Sequence, residues 1–228
     1  MGPIFLRNVL RVKGCRLAIL LAPVLSGVLG AADLQLWNTT EFTVIERRGF
    51  RWEGFGIVRT RNHASDAYDD RLGTGVSYHF SPRLIVGGRY QRRWVDPDGK
   101  GSHQENRVSF SPTVVVLPAP LRIESTTTFD RSFRIPGRAD FNSYRETVDI
   151  ERRRQGPSPF LYEQMTWRRE GFVRSRTAAG VRWHFPGGRD LEIGYQLETY
   201  QDGSAWRPRH SIRTAIDLGN LFSHRRRE

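Results

Sequence analysis

Apolar and polar residues alternate along almost the entire chain beyond residue 32. In RLGTGVSYHF (71–80), the even positions hold Leu, Thr, Val, Tyr and Phe, whereas the odd positions hold Arg, Gly, Gly, Ser and His. Successive side chains of a β-strand point to opposite faces, while the faces of a helix repeat about every 3.6 residues. The alternation therefore predicts an all-β protein whose strands each have one apolar and one polar face.

The alternating segments are longer than ordinary strands. We predict strands at 33–47, 49–61, 70–80, 83–95, 103–117, 121–134, 141–153, 159–168, 172–185, 190–201 and 208–222. Most contain 11 to 15 residues, whereas strands of soluble sheets have about five or six. Because a tilted strand crosses a bilayer with about 9–11 residues, these lengths favour transmembrane strands.

Charged residues gather on the polar face of the predicted strands. Eleven arginines on that face accompany nine carboxylates. Inside a closed barrel these arginines and carboxylates can form ion pairs, while the apolar face contacts lipid. The candidate lumen residues are Arg71, His79, Arg89, Arg107, Arg122, Glu124, Arg145, Glu151, Glu163, Arg176, Arg182, His184, Glu192 and Glu198. The aromatic residues expected to form an interfacial girdle near strand ends are Tyr78, Phe80, Trp94, Trp183 and Phe185.

Connections of two lengths separate the strands. Tight connections lie at 47–49, 81–83, 118–120, 155–159 and 186–190, and longer ones lie at 62–70, 96–103, 135–140 and 202–208. Outer-membrane barrels keep short turns on the periplasmic side and long loops outside. We therefore predict a closed antiparallel up-and-down transmembrane β-barrel of about 10 strands between 49 and 222, with both of its ends periplasmic. Twelve strands are the alternative, and 33–47 is expected to be an extra or lumen-associated strand.

The first 32 residues have the form of a secretory signal peptide. Residues 1–16 contain four basic residues and no acid, an apolar run with Pro23 follows, and Ala31 and Ala32 supply a small-residue cleavage site. We expect a barrel domain at 33–222 and a basic tail at 223–228. Export of a barrel predicts the outer membrane of a Gram-negative bacterium, with outer-membrane lipid and the barrel-assembly machinery as partners.

Charge and composition narrow the classes of partner. The formal net charge is +12, and removal of the four basic residues of the leader leaves +8. The arginines are spread along the chain and no nucleic-acid-binding motif is present, so nucleic acid is not expected as a partner. The one cysteine, Cys15, lies in the leader, and the six histidines show no metal-ligand spacing. The sequence predicts neither a metal nor a cofactor.

One hairpin occurs twice in the sequence. The pattern R-x-x-x-G-V-x-[YW]-H-F spans 71–80 and 176–185, and each copy precedes a tight turn and a strand that begins L-x-[VI]-G. The phenylalanine of each copy is expected on the lipid face, and the histidine in the lumen. Glycines on the lumen face would relieve crowding there. They are Gly75, Gly87, Gly180 and Gly194.

Three stretches carry a resemblance to a known family. They are the start DLQLW (33–37), the repeated HF strand and the segment LEIGYQ (191–196). Together they resemble the domain of unknown function 2490 family, whose members are exported and β-rich, and the similarity in spacing covers nearly all of 33–222. The resemblance implies an outer-membrane barrel, but no reaction, ligand or catalytic residue. The chain departs from many such barrels because SHRRRE, rather than a terminal aromatic residue, follows Phe222.

Two serine–histidine combinations bear on catalysis. His210 and Ser211 are adjacent and so point to opposite faces, whereas Ser77 and His79 share a face. The chain has no G-x-S-x-G elbow. We therefore predict that the protein is not an enzyme but an outer-membrane barrel, either a structural envelope protein or a narrow channel with slight anion preference. A lipid hydrolase and a soluble periplasmic β-sandwich binding protein are the alternatives.

Overall fold

Eleven β-strands make up almost all of the chain that this computed structural model describes, namely residues 34–61, 66–96, 103–135 and 140–220. The strands are β1 (Leu34–Arg47), β2 (Phe50–Arg61), β3 (Asp66–Ser81), β4 (Leu84–Val95), β5 (His103–Leu117), β6 (Leu121–Ile135), β7 (Phe141–Arg152), β8 (Ser158–Arg168), β9 (Gly171–Phe185), β10 (Arg189–Asp202) and β11 (Ala205–Asn220). The predicted signal peptide and the predicted basic tail at 223–228 lie outside the described residues.

The strands form one closed barrel, which confirms the predicted fold class. Each strand pairs with the next in antiparallel fashion, and β1 closes the barrel by pairing with β11. The β1–β11 pair is parallel, with Leu34 opposite His210 and Glu41 opposite Asp217. Closure leaves no edge strand, so every strand has a hydrogen-bonded neighbour on each side.

The strand count is close to the predicted one. The barrel has eleven strands where about 10 were expected, and the 33–47 segment is the extra strand of the two alternatives rather than a lumen-associated piece. β2 does not meet β11, because β1 lies between them and pairs with both. Without β1, the edges of β2 and β11 would each expose a row of unpaired backbone groups.

Because the number of strands is odd, the first strand begins at one end of the barrel and the last strand finishes at the other. We call the end with the connections 48–49, 82–83, 118–120, 153–157 and 186–188 the turn end, and the opposite end the loop end. The predicted barrel segment of 49–222 does begin and end on one side, since β2 begins and β11 finishes at the turn end. The added strand β1 begins at the loop end, so the complete barrel begins and finishes on opposite sides. The predicted long loop at 202–208 is wrong, because Asp202 pairs with Ala205 across a tight turn.

The side chains are distributed inside out relative to a soluble protein. Among the described residues, twenty buried side chains are polar or charged and only seven are hydrophobic. Large apolar side chains lie on the outer surface instead, and Leu72 and Phe80 are each 63% exposed. The single closed sheet excludes the β-sandwich alternative.

Aromatic residues form a row on the outer face of β6 to β11. Phe129, Tyr144, Trp167, Phe172 and Trp206 follow one another with ring centroids 5.3 to 5.6 Å apart. The sequence did not predict this row near the loop end, because its members come from five strands.

The predicted girdle residues share the outer face. Tyr78, Phe80 and Phe185 lie near the turn end and are exposed, and the rings of Tyr78 and Phe80 are 4.9 Å apart. Trp94 and Trp183 are partly exposed on the same face. Aromatic side chains therefore lie near both ends of the outer surface.

A phenylalanine ring fills the space that side chains at two lumen glycines would otherwise occupy. Gly180 and Gly194 face each other across β9 and β10, and a Cβ atom on either would lie within 3.0 Å of the ring of Phe160. The buried Phe160 ring therefore requires glycine at both positions. At Gly87 the nearest atom to such a Cβ would be 3.4 Å away, so crowding does not explain that glycine.

Candidate functional site

Asp69 of β3 is the centre of an arginine cluster inside the barrel. Its side chain is fully buried and accepts hydrogen bonds from Arg59 at 3.3 Å, Arg71 at 2.7 Å and Arg93 at 2.7 Å. These arginines come from β2, β3 and β4. Because a buried carboxylate is costly unless it is paired and hydrogen-bonded, the cluster both stabilises the charge of Asp69 and fixes three guanidinium groups.

Glu198 of β10 holds a second cluster, which Arg59 links to the first. Its carboxylate lies 3.4 Å from Arg59 and 3.3 Å from Arg209, and it also pairs with Arg176. The guanidinium groups of Arg59 and Arg176 lie 4.1 and 4.7 Å from the centre of the Trp37 ring, at distances where cation–π attraction operates. We call Trp37, Arg59, Arg176 and Glu198 the Trp37 network, which joins β1, β2, β9 and β10 across the lumen.

Two further carboxylates hold the arginines of the β5–β7 wall. Glu105 pairs with Arg107 at 2.5 Å and lies 3.8 Å from Arg93. Asp130 accepts hydrogen bonds from Arg145 at 2.7 and 2.9 Å, in the bidentate arrangement that suits a guanidinium and a carboxylate. Both carboxylates are almost fully buried, so these pairs are interior ones.

A different cluster lies near the turn end. Arg182 pairs with Glu151 at 3.1 Å and with Glu192 at 2.6 Å. His184 contacts Glu151 and lies 2.9 Å from Asp190. Asp149 also pairs with Arg182, and Arg153 and Arg213 pair with Glu151 and Glu192. Three guanidinium groups and one imidazole therefore meet four carboxylates, so the turn-end cluster is richer in acid than the clusters around Asp69 and Glu198.

The structure places thirteen of the fourteen predicted lumen residues on the inner face. Eight line the larger interior cavity, namely Arg71, His79, Arg89, Arg107, Arg122, Glu124, Arg145 and Arg176. Five others reach inward through the ion pairs described above, namely Glu151, Arg182, His184, Glu192 and Glu198. The alternation of the strands is therefore a reliable guide to the inner face for all strands but one.

Glu163 of β8 is the exception and lies on the outer face. It shares that face with the exposed Leu161 and Met165, and its carboxylate accepts hydrogen bonds from the hydroxyls of Ser175 and Thr177 on β9. The prediction failed because Phe160 was assigned to the lipid face, which put Glu163 in the lumen. In the structure the Phe160 ring points inward and packs against the lumen glycines Gly180 and Gly194.

The described residues line a larger and a smaller cavity inside the barrel. The larger, of about 570 Å³, is lined by eight arginines and four carboxylates, with His79 in its wall. The smaller, of about 40 Å³, is lined by seven arginines and by no carboxylate. The Nε atoms of Arg168 and Arg174, both in its wall, are buried and donate to no acceptor within the described residues. Among the lining residues, arginines therefore outnumber carboxylates at both cavities.

The candidate catalytic groups do not assemble into a triad within the described residues. Ser77 and His79 share the larger cavity, but no hydrogen bond joins them. His210 lies outside and contacts the hydroxyl of Tyr195, while Ser211 is buried inside, as their adjacency predicts. No group of three or more potential metal ligands occurs in the described part of the chain. The described residues also include no helix that is long and apolar enough to cross a membrane.

Arg59 and Asp69 are the central lumen residues that the sequence did not identify. The connection between the second and third strands was expected to extend to residue 70, which left Asp69 in a loop. β3 in fact begins at Asp66, and Tyr68 donates a hydrogen bond to Gln35 inside the barrel. Arg59 shares the parity of Arg51 and Glu53 on β2, and that periodicity is the signal that could have identified it.

No protein-family model and no curated protein matches the chain. Among solved structures, the β domain of the Bordetella autotransporter BrkA is similar, with a TM-score of 0.40 and 15% sequence identity. The match covers 79% of this chain and 95% of that chain. A likeness at this level carries no conclusion about function.

Proposed function

We propose that the protein is an integral β-barrel of the outer membrane whose lumen forms a narrow passage that favours anions. The observation that carries this proposal is the inside-out distribution of side chains, with charged groups buried within the barrel and large apolar groups outside. Soluble monomers rarely expose contiguous apolar patches beyond a few hundred Å², whereas lipid requires an apolar outer surface.

The backbone and the aromatic residues support a position in the membrane. A closed barrel is one of the two structures that satisfy all backbone polar groups inside a bilayer. The strands contain 11 to 16 residues, which exceeds the span of about 9–11 that a tilted strand needs. The aromatic row near the loop end and the exposed Tyr78 and Phe80 near the turn end match the two interfaces of a bilayer.

The lumen charges support a preference for anions. The larger cavity has twice as many arginines as carboxylates, and the smaller one has arginines alone. A cleft lined mainly by one sign of charge concentrates ions of the opposite sign. The passage would be narrow, because wide aqueous pores use about sixteen or more strands and this barrel has eleven.

A structural barrel without conductance is the second candidate, and the Trp37 network favours it. Arg59, Arg176 and Glu198 have side chains no more than 6% exposed, and both guanidinium groups lie against the ring of Trp37 inside the barrel. Such a buried network would obstruct the lumen unless it rearranges. The two candidates share the same position in the membrane and differ only in conductance.

Planar-bilayer recording of the refolded mature chain separates the two candidates. A channel gives discrete conductance steps and, in a KCl gradient, a reversal potential on the chloride side. A cation-side reversal potential would overturn the anion preference, and folded protein without discrete steps would leave the structural barrel. If the mature chain were soluble without detergent and fractionated with periplasm, the membrane position itself would be wrong.

A further inference from the structure

We propose that the smaller lumen cavity is a binding site for one small oxyanion of the phosphate or sulfate type. This inference rests on the proposed function in one respect, since it assigns a specific ligand class to the anion-favouring lumen. The wall of the cavity comes mainly from β7, β8 and β9, with one arginine from each of β3, β4 and β5, and it contains seven arginines and no carboxylate.

Five of these seven guanidinium groups already have carboxylate partners. Asp69 pairs with Arg71 and Arg93, and Glu105, Asp130 and Glu198 each pair with one of the other three. Within the described residues, Arg168 and Arg174 are in no ion pair, and the Nε–H group of each is buried without an acceptor. Both side chains are partly exposed, but buried donors in proteins are normally hydrogen-bonded, so each of these two guanidinium groups has one buried donor that lacks a partner.

The geometry brings these two arginines to one place. Arg174 lies opposite Thr166 on the neighbouring strand, and Thr166 lies opposite Arg145. Arg168 is two residues beyond Thr166 on the same face of β8, and its guanidinium stacks 4.4 Å from the ring of Phe141. Donors from three adjacent strands therefore converge on the cavity, and the stack on Phe141 holds one of them in position.

The size and the donors select the class of ligand. A cavity needs roughly 10–15 Å³ by this measure to hold one water, so about 40 Å³ admits a small ion but not a sugar or a nucleotide. A guanidinium group binds an oxyanion by donating two parallel N–H hydrogen bonds to two oxygen atoms, an arrangement that a spherical halide ion does not offer. The hydroxyl of Thr166 is a further donor in the same wall.

Titration of the folded mature chain in detergent with inorganic phosphate tests this site by calorimetry. We expect saturable binding, weakened about tenfold or more in Arg168→Gln and in Arg174→Gln, because each removes a charge-assisted donor. Arg122→Gln is the matched control, since Arg122 lines the larger cavity and pairs with Glu124. It removes one lumen charge elsewhere and should leave phosphate affinity unchanged. Chloride at equal ionic strength should not compete.

Several results would overturn the site. If Arg122→Gln weakened phosphate binding as much as Arg174→Gln does, the lumen would attract anions through its overall charge rather than at one site. If folded wild-type protein showed no saturable phosphate binding, the proposed site would be wrong. Retained folding is checked by heat-modifiable electrophoretic mobility. If both glutamine variants failed to fold, Arg174→Lys and Thr166→Val would take their place, with the same weakening expected and unchanged affinity contradicting the site. Phosphate binding without conductance would support the site and refute the passage, and anion conductance without phosphate binding would do the reverse.

Discussion

The guanidinium carbon of Arg59 lies 4.1 Å from the centre of the Trp37 ring, inside the barrel. Through this contact an arginine of β2 and a tryptophan of β1 meet in the lumen, and the same arginine reaches both Asp69 and Glu198. The relationship links the closing strand to β3 and β10 through one buried arginine, and we expect this pair to obstruct any passage through the lumen.

Truncation of Arg59 should widen the lumen. In Arg59→Ala the two carboxylates keep their other arginine partners, Arg71 and Arg93 for Asp69 and Arg176 for Glu198, so the barrel should still fold. We expect a larger unit conductance than that of wild type in planar bilayers, because a side chain that crosses the lumen is gone. Arg122→Ala, which is outside the Trp37 network, should change the conductance less. Equal conductance in Arg59→Ala and wild type would show that the network does not limit passage.

Closure by a parallel β1–β11 pair predicts a specific cross-link. Thr40 and Ile216 are register partners on the outer face, and the chain has no cysteine beyond Cys15. Thr40→Cys with Ile216→Cys should therefore form a disulfide under mild oxidation, seen as a mobility shift that a reductant reverses. Gly56→Cys with Ile216→Cys is the control, because Gly56 pairs with Thr40 from the other side and β1 separates it from β11. A cross-link in the control pair alone would mean that β2 meets β11, as in a ten-stranded barrel.

The outward carboxylate of Glu163 provides a test of the solvent around the barrel. In a bilayer, a charged side chain on the lipid face is destabilising, although carboxylates cost less than basic groups. Glu163→Leu should therefore stabilise the barrel by on the order of 1 kcal/mol in denaturant unfolding from phosphatidylcholine vesicles.

The matched change on the inner face should have the opposite effect. Glu192→Leu leaves Arg182 and Arg213 without a carboxylate that lies 2.6 Å from each, so the free energy of unfolding should fall. A Glu163→Leu variant that lost stability would indicate that water, rather than lipid, surrounds this part of the outer face.

The ring of Phe160 predicts a strong effect at one glycine. A Cβ atom at Gly180 would lie 2.2 Å from the carbonyl oxygen of Ile193 and 2.9 Å from the Phe160 ring. Because the backbone would have to shift, Gly180→Ala should lower the free energy of unfolding by about 1–3 kcal/mol. Gly87→Ala, where the nearest atom is 3.4 Å away, should cost less. If the two substitutions cost the same, the packing of Phe160 over Gly180 does not set the requirement for glycine.

Much of the architecture could be predicted from local pattern. Period-two alternation in segments of 11 to 15 residues indicated strands, and the parity of the arginines indicated the inner face. The failures are non-local or depend on packing. Whether 33–47 closes the barrel depends on its pairing with β11, about 175 residues later, and a repeat of two does not encode partners.

The same distinction applies to the lumen. Arg71 and Arg176 were predicted from parity alone, whereas Asp69 was missed because the tight alternation breaks at a bulge where β2 and β3 shift register. Glu163 was misplaced because an inward phenylalanine reversed the polarity of β8. The unpaired Nε–H donors of Arg168 and Arg174 could not be predicted from the sequence, because they depend on which carboxylates pair with the other arginines.

The membrane position and the inside-out arrangement are tested most directly by tryptophan quenching with brominated lipids. Two variants each keep one of the six tryptophans: Trp167, in the outer aromatic row, or Trp37, inside the lumen. After reconstitution into vesicles with brominated acyl chains, we predict strong quenching of Trp167 and little quenching of Trp37. Little quenching of either tryptophan in folded protein, or stronger quenching of Trp37 than of Trp167, would contradict a barrel that faces lipid with its apolar surface.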